Sequence, residues 1–225
     1  MRRDVDGSEN KRTESERLAE WHRYYSAKRV GQQWTQVHLL RDLPVQTVLE
    51  VGPYMGLATA MMDNAGYDVT TLDLVARPFE RPARPHIRAN LLEIEPDAIA
   101  GFDAIVCCET LEHLPWHDVD RVLETFRASG AKHLIVSVPY SAFQIEASLY
   151  FNRYLFRQGF AFKKLRFLKS FTPDADPLGH KWEVGYRGSS LTAWEAKLGD
   201  AGWHIMQREF TNPTRSVFHV LEPSA

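Results

Sequence analysis

The sequence predicts an α/β protein with a doubly wound, mostly parallel sheet. Short apolar strand segments alternate with helical segments between residues 47 and 138, as expected for parallel strands joined by crossover helices. The fourth strand segment, residues 102–108, is apolar at almost every position, which is typical of a strand covered on both faces. Two final strand segments follow each other with no helix between them. They predict a closing hairpin and an antiparallel last strand.

The predicted elements follow in a regular order. A helical region over Ser15–Arg41 comes first, with Pro44 after its end. Later helices are predicted over residues 57–65, from 119 to a stop at Gly130, and over residues 191–201. Strands are predicted over residues 47–52, 67–73, 85–89, 102–108, 132–138, 203–210 and 215–222. These seven strands predict one sheet.

A single domain accounts for most of the 225 residues. Residues 1–15 carry many charges of both signs and predict a disordered lead-in. Residues 16–225 form the predicted domain. Within it, residues 16–44 are a helical cap and residues 141–187 are an insertion on the substrate side.

Composition excludes several classes of protein. The net charge is 27 − 29 = −2, so no overall positive field recruits nucleic acid. No apolar run reaches the roughly 20 residues of a membrane span, and no secretion signal is evident. Cys107 and Cys108 are adjacent, which disfavours a disulfide between them and predicts reduced core residues in a cytoplasmic protein. The sequence leaves the oligomeric state open.

Two segments at strand ends predict a nucleotide-type ligand. Glu50-Val-Gly52-Pro-Tyr54-Met-Gly56 follows the first strand and leads into a helix. Glycines there allow a tight turn and a close approach to a ligand, and the helix N-terminus favours an anion. Asp73 ends the second strand, where a carboxylate can accept ribose hydroxyls. Dinucleotide-binding proteins share both features, and a plain strand-to-helix turn would also explain the glycines.

Residues 102–114, Phe-Asp-Ala-Ile-Val-Cys-Cys-Glu-Thr-Leu-Glu-His-Leu, distinguish these possibilities. Together with the closing hairpin, they resemble class I S-adenosylmethionine-dependent methyltransferases, which have a Rossmann-like fold. The resemblance implies a set of residues that contact S-adenosylmethionine: Glu50, Gly52, Tyr54, Gly56, Asp73, Asn90, Leu91 and Glu109. Tyr54 replaces the middle glycine of the family's loop, and Asn90 replaces an aspartate that reads the adenine. The alternative is that Asn90 lies in a simple surface turn and does not read the adenine.

A metal site is a further implication of this resemblance. Glu109-Thr-Leu-Glu112-His113 and the distant His180 are similar to the ExxEH…H pattern of ubiquinone-biosynthesis and small-RNA 3′-terminal O-methyltransferases. In those groups such residues bind a divalent metal, so Glu109, Glu112, His113 and His180 are the candidate ligands. Carboxylates and imidazoles suit Mn²⁺, Zn²⁺ or Fe²⁺ better than Mg²⁺. Residues i, i+3 and i+4 would share one helical face. His113 and His180 are also candidate catalytic residues without a metal, or structural residues.

The insertion is rich in aromatic and basic residues. Residues 141–172 contain nine aromatic residues, six basic residues and one acidic residue. Phe143, Ala147, Tyr150, Phe151 and Tyr154 would share one face of a helix. Such a segment could cover an apolar or anionic acceptor, including one held at a membrane surface, or could pack its aromatic residues into the core.

Three functions remain open from sequence. The first is O-methylation of a small-molecule, glycan-like or lipid-like acceptor, with a divalent metal as an assisting cofactor. The second is metal-free N- or C-methylation. The third is a catalytically silent protein that binds S-adenosylmethionine. Nucleic acid is a less favoured partner: DNA amino-methyltransferases carry a D/N-P-P-Y box where this chain has Cys108-Glu-Thr-Leu, although an RNA end could stack on the aromatic residues.

Overall fold

A computed structural model describes residues 14–75, 84–163, 166–212 and 214–224. The helices are α1 (Glu14–Tyr24), α2 (Ala27–Leu40), α3 (Leu57–Asn64), α4 (Val119–Ala128) and α5 (Leu191–Asp200). The strands are β1 (Thr47–Val51), β2 (Asp68–Asp73), β3 (His86–Arg88), β4 (Ala104–Cys108), β5 (His133–Pro139), β6 (Gln144–Asn152), β7 (Leu155–Lys163), β8 (Trp203–Phe210) and β9 (Ser216–Pro223).

Seven strands form the main sheet in the order β3-β2-β1-β4-β5-β9-β8. The first five are parallel, whereas β9 is antiparallel to both β5 and β8. The predicted Rossmann-like, doubly wound sheet with an antiparallel last strand is therefore confirmed. The strand order reverses between β1 and β4, and ligands of such sheets bind beyond the carboxyl ends of the strands at this point.

Helices cover both faces of the sheet because successive side chains of each strand point to opposite sides. Leu49 and Ile105 belong to the core cluster that includes residues of α4 and α5. Val48 and Val106 belong to the other cluster, with residues of α2 and α3. Cys107 belongs to the first of these clusters and Cys108 to the second, and both are free thiols.

The N-terminal helical region is confirmed, with a break after Tyr24. Ser26 caps α2 by accepting a hydrogen bond from the backbone of Arg29, which is why the chain restarts as a second helix there. Residues 1–13 of the predicted lead-in lie outside the described residues. In the part of the chain that the structure describes, no helix is long and apolar enough to span a bilayer.

The helical face predicted for the insertion is wrong. Phe143, Ala147, Tyr150, Phe151 and Tyr154 lie in or beside a β-hairpin of β6 and β7, which forms a two-stranded sheet separate from the main one. Apolar side chains recur at every second position, at Ile145, Ala147, Leu149 and Phe151. This is the period of a strand, and it favours the hairpin over a helix. The described residues 166–187 of the insertion are mostly irregular, with a short 3₁₀ turn over Pro173–Ala175.

Asp103 links three strands at the amino edge of the sheet, opposite the switch-point loops. Its carboxylate accepts hydrogen bonds from the backbone N–H groups of Gln46 and Thr47 at 3.0 and 3.1 Å and from Lys132 Nζ at 2.8 Å. The Lys132 bond, followed by the two backbone bonds, holds the pKa of Asp103 well below its ordinary value. This carboxylate therefore stabilises the fold more in its charged form.

Asp103→Asn should lower the urea midpoint at neutral pH, because the amide loses the charged hydrogen bonds. A depressed folded-state pKa contributes stability above the unfolded pKa of about 3.9 and loses it as the pH falls through the folded value. The difference in urea midpoint between wild type and variant should thus be largest above about pH 5 and should shrink below about pH 4. Urea titrations across pH measure it, with Asp97→Asn at an exposed carboxylate as the control. A gap independent of pH would contradict this account.

Candidate functional site

The loops after β1 and β4 meet at the switch point of the sheet. Gly52 has a positive φ of 70°, and a Cβ there would lie only 2.4 Å from Thr110 Oγ1. The Thr110 hydroxyl in turn lies 3.3 Å from the carbonyl oxygen of Val51 and 3.1 Å from that of Cys108. Glycine is required at position 52 both for its conformation and for this close approach.

The loop after β1 ends in the N-terminus of α3. Glu50 is almost completely buried and its carboxylate accepts a short hydrogen bond from Thr59 of α3. Gly56 is the N-cap of α3 and provides no side-chain cap, which suits a helix N-terminus that takes an anionic ligand. Tyr54, at φ 46°, is half exposed and its hydroxyl lies 3.3 Å from Glu20 of α1. The residue that replaces the family's middle glycine therefore contacts the N-terminal cap.

Tyr24, the last residue of α1, and Tyr25, which follows it, cover the loop after β1. The Tyr24 ring lies 4.6 Å from the Tyr54 ring, and the guanidinium of Arg29 lies 3.8 Å from the Tyr24 ring centroid. Burial raises the pKa of the Tyr25 phenol. A hydrogen bond with the backbone of Leu57, the first residue of α3, acts to lower this pKa but has the smaller effect. Tyr25 thus remains a neutral phenol beside the start of α3.

The loops after β2 and β3 hold the other predicted cofactor residues. Asp73 ends β2, and its Oδ1 accepts a hydrogen bond from Val75 N at 3.3 Å. Asn90 Oδ1 accepts from Leu92 N, and its Nδ2 donates to Glu93, both at 3.1 Å. The Asn90 side chain therefore shapes the turn that contains Leu91, rather than extending freely from it.

Glu109 lies in a polar network under α2. Its backbone is left-handed (φ 51°), and its carboxylate accepts a hydrogen bond from Ser137 at 2.9 Å. Ser216 and Gln32 also hydrogen-bond to it, while burial, the largest influence, raises its pKa. The expected shared helical face for Glu109, Glu112 and His113 is wrong, because only Leu111–His113 form a 3₁₀ turn and the chain turns sharply at Glu109.

Glu112, His113 and His180 form a cluster beside that network. One ligand-type atom from each lies within 4.8 Å of the others, and the imidazole rings are 5.1 Å apart. His180 Nε2 is 3.9 Å from Glu112 Oε1. The resemblance to metal-dependent O-methyltransferases thus identified three residues that meet, although His180 is 67 positions away from His113. Glu109 is outside this three-residue group.

The carboxylate of Glu112 is the most unusual group of the cluster. It is 0% exposed, and neither of its oxygens has a hydrogen-bond partner among the residues that the structure describes. Burial, together with the negative charge of Glu109, raises its pKa well above the ordinary value. A buried carboxylate in such surroundings either keeps its proton or takes a cation as its partner.

The segment that carries His180 is clamped onto the segment that carries Glu112. Lys181 N donates to the carbonyl oxygen of Glu112 at 2.6 Å, and Trp182 Nε1 donates to that of Leu114 at 3.1 Å. The Trp182 ring also packs 4.6 Å from the Trp116 ring. These contacts explain why two loops distant in sequence present one cluster.

Glu183 determines the orientation of the His180 ring. His180 Nδ1 lies 3.1 Å from Glu183 Oε1, and Ser141 Oγ donates to the other carboxylate oxygen. Burial acts to raise the pKa of Glu183, but hydrogen bonds from His180 and Ser141 outweigh it and the pKa is lowered. An ionised carboxylate only accepts, so His180 carries a proton on Nδ1 and directs Nε2 towards Glu112.

Several residues of the site were missed from sequence. Glu183 follows His180 by three positions, a spacing that offered a local signal. Gln32, Ser216 and Tyr25 offered none, because their contacts with Glu109 and α3 depend on how α1 and α2 pack.

The match to a family of known proteins covers most of the chain. A family model described as a methyltransferase domain matches residues 11–175. No curated protein matches the sequence.

Solved structures of methyltransferases share the fold at low identity. The N-methyltransferase NodS from Bradyrhizobium japonicum WM9, in complex with S-adenosylhomocysteine, has 13% identity and a TM-score of 0.61 over 91% of this chain and 92% of its own. Magnesium protoporphyrin IX methyltransferase from Synechocystis PCC 6803, with bound S-adenosylhomocysteine, has 18% identity and a TM-score of 0.59 over 92% and 94%. The 1,6-didemethyltoxoflavin-N1-methyltransferase from Burkholderia thailandensis has 16% identity and a TM-score of 0.57 over 92% and 83%.

The orienting role of Glu183 predicts a spectroscopic change. Glu183→Leu removes the acceptor of His180 Nδ1, so the Nδ1–H tautomer of His180 should lose its preference. Glu183→Gln keeps an acceptor oxygen and should retain that tautomer. Ring ¹⁵N chemical shifts in metal-free protein at neutral pH report the difference. An unchanged His180 tautomer in Glu183→Leu would show that the orientation has another cause.

Proposed function

The chain belongs to the methyltransferase-domain family, and so to the class I S-adenosylmethionine-dependent methyltransferases, and on that premise we propose that it methylates an oxygen atom with help from a divalent metal. The acceptor is a small molecule, of glycan-like or lipid-like chemistry. The buried Glu112 carboxylate without a hydrogen-bond partner, next to two imidazoles at the switch point, is the observation that carries this proposal.

The cofactor in this proposal occupies the crevice between the ends of β1 and β4. Gly52 and Gly56 allow the loop to approach the methionine part, whose carboxylate lies near the uncapped N-terminus of α3. Glu50 is near the ammonium, and Asp73 accepts the ribose hydroxyls. Because the Asn90 side chain already has partners, the backbone of Leu91 is the better candidate to read the adenine, with Asn90 holding the turn.

Tyr54 and Glu109 lie on either side of this crevice in the proposal. Tyr54 holds α1 over the cofactor loop through Glu20 and Tyr24, which would exclude water from the transferred methyl group. Glu109 faces the same space from the end of β4, where Ser137 and Gln32 fix its carboxylate. Both residues would therefore close the site around the cofactor.

The residues of the cluster fit a divalent cation. Glu112 offers a carboxylate that lacks another partner, His180 offers Nε2, and His113 is kept neutral because burial, together with the neighbouring His180, lowers its pKa. Neutral imidazoles and a carboxylate suit Zn²⁺, Mn²⁺ or Fe²⁺. When bound, the metal would lower the pKa of an acceptor hydroxyl. Glu109 lies outside the cluster, so we assign it to the cofactor side.

Metal-free transfer to nitrogen is the second candidate. NodS and the 1,6-didemethyltoxoflavin-N1-methyltransferase are described as N-methyltransferases and share this fold. In this case Glu112 would hold its proton, which its raised pKa favours, and His113 would accept the proton released by the acceptor. Insensitivity of turnover to chelators would favour this candidate, and an absence of any turnover would favour a silent binding protein.

The cofactor assignment predicts binding and a specific loss. S-adenosylhomocysteine should bind with a dissociation constant in the micromolar range, about −8 kcal/mol. Asp73→Ala should weaken binding by about 1–3 kcal/mol, because a charged acceptor is lost. Asp68→Ala, at an exposed position at the start of the same strand, is the matched control. Calorimetry that finds no binding by the wild type, or equal losses in both variants, would refute the assignment.

The metal assignment predicts a thermal shift that requires Glu112. A divalent ion at about 100 times its dissociation constant adds about 2.7 kcal/mol to stability, which corresponds to roughly 5–10 °C in Tm for a chain of this size. Wild type should show this shift with Zn²⁺ or Mn²⁺, and Glu112→Gln should not. Glu124→Gln, at an exposed position on α4, should behave as the wild type.

Turnover provides the second readout for the metal. A chelator should abolish methyl transfer to an acceptor hydroxyl while S-adenosylhomocysteine binding persists, and the metal should restore it. If no ion raises the Tm of the wild type, or if an ion raises the Tm of the Glu112→Gln variant by the same amount, the cluster is not a metal site.

A further inference from the structure

The β6–β7 hairpin has two chemically different faces. Side chains alternate along each strand, and directly paired residues share a face. The register pairs Ile145 with Phe162 and Phe151 with Phe156. One face, called the apolar face below, therefore presents Ile145, Leu149, Phe151, Phe156, Phe160 and Phe162, with Gln158 as its polar member. The opposite face carries mostly polar residues, among them Glu146, Ser148 and Arg157.

The apolar face is open to solvent. Leu149, Phe151 and Phe160 are 74%, 76% and 75% exposed. An isolated two-stranded hairpin is only marginally stable in water, and a contiguous exposed apolar patch marks an interaction site. The face therefore requires a partner with an apolar surface.

The charges around the apolar face select an anionic partner. Arg153 lies in the hairpin turn, Arg157 lies on the opposite face beside that turn, and Arg166 and Lys169 follow the base of the hairpin. Residues 141–172 contain six basic residues against one acidic residue, Glu146. A second copy of the chain would bring like charges together, which disfavours self-association.

The chemistry of the apolar face suits lipid better than protein. A specific protein interface has about one hydrogen bond per 100–200 Å², and this face offers only the Gln158 side chain for directional recognition. Tyr154, 86% exposed at the hairpin turn, combines an aromatic ring with a polar tip, as residues at the membrane–water boundary do. Long arginine side chains can reach headgroups while apolar neighbours lie deeper.

We propose that the β6–β7 hairpin docks this protein on the surface of an anionic lipid bilayer. The apolar face enters the interfacial region, and the basic residues bind the headgroups. The hairpin lies flat at this depth, where water still reaches the open edges of its two strands. The proposal concerns membrane binding and is independent of which atom is methylated.

Contacts at the base of the hairpin connect this surface to the Glu112 cluster. Ser141 N donates to the carbonyl oxygen of Val184 at 2.7 Å, and Ser141 Oγ donates to Glu183 at 2.5 Å. Arg166 Nη1 lies 3.9 Å from Glu183 Oε2. Glu183 in turn holds His180, so a docked hairpin lies beside the residues that would face an acceptor.

Vesicle sedimentation of the full chain tests the proposal. The protein should bind phosphatidylcholine vesicles that contain phosphatidylglycerol and should bind pure phosphatidylcholine vesicles much more weakly. Raising salt from about 0.1 M to about 1 M shortens the screening length from roughly 10 to 3 Å and should lower binding about tenfold or more. Leu149→Ser/Phe151→Ser/Phe160→Ser should lower it by about 30-fold or more, because apolar insertion is lost.

A matched control removes exposed apolar side chains elsewhere. Leu18→Ser/Trp34→Ser/Met206→Ser changes residues that are 59%, 55% and 47% exposed and should leave vesicle binding unchanged. Arg153→Glu/Arg157→Glu keeps the apolar face and should still lose binding to anionic vesicles. This second variant tests the proposal even if the triple variant of the hairpin fails to fold, which circular dichroism reports.

Three outcomes would overturn the proposal. The first is no binding of the wild type to anionic vesicles, and the second is equal binding by the wild type and both hairpin variants. The third is a stable dimer in sedimentation velocity that the triple variant abolishes, with no vesicle binding; the apolar face would then be a self-association surface. None of these outcomes bears on the calorimetric and thermal-shift tests of cofactor and metal.

Discussion

The contact of Thr110 with the backbone at Gly52 is the constraint on which both parts of the site depend. Any side chain at position 52 would overlap the threonine hydroxyl, so the loop after β1 and the turn after β4 can meet only with glycine there. On one side of this contact lies the N-terminus of α3, and on the other lies the chain that leads to Glu112. The proposed donor site and the cluster that would face the acceptor are thus held together by two short loops of the sheet.

Burial of Glu112 opposes the stability that the rest of the fold provides. Burying an ionised carboxylate without a partner costs on the order of several kcal/mol of folding stability. Taking up a proton removes that cost, but the group is then no longer charged. The segment around Trp182 nevertheless holds the group in place through hydrogen bonds to the backbone carbonyls of Glu112 and Leu114 and through packing against Trp116. Rigid surroundings for a buried carboxyl group without a hydrogen-bond partner are typical of functional sites rather than of cores.

The sequence predicted the main sheet well because its signals are local. Strands such as β4 are apolar throughout, glycines follow the helices, and the β8–β9 pair lacks an intervening helix. The hairpin was predicted as a helix because Phe143, Ala147 and Tyr150 fit a helical stripe, whereas alternation from Ile145 to Phe151 fits a strand. The Glu109 network depends on Gln32 and Ser216, which are 184 positions apart, and no local pattern encodes such a contact. His113 and His180 were brought together by resemblance to a family, not by spacing.

The pairing of Gln144 with Lys163 places the two ends of the β6–β7 hairpin next to each other, and none of its strands belongs to the main sheet. Such an element can be shortened, lengthened or exchanged during evolution with little effect on the folding of the remaining chain. Under the proposed docking, changes in where the protein acts in the cell would accumulate in these residues, separately from changes in its chemistry. The same property makes the hairpin a natural graft site for redirecting the protein to another surface.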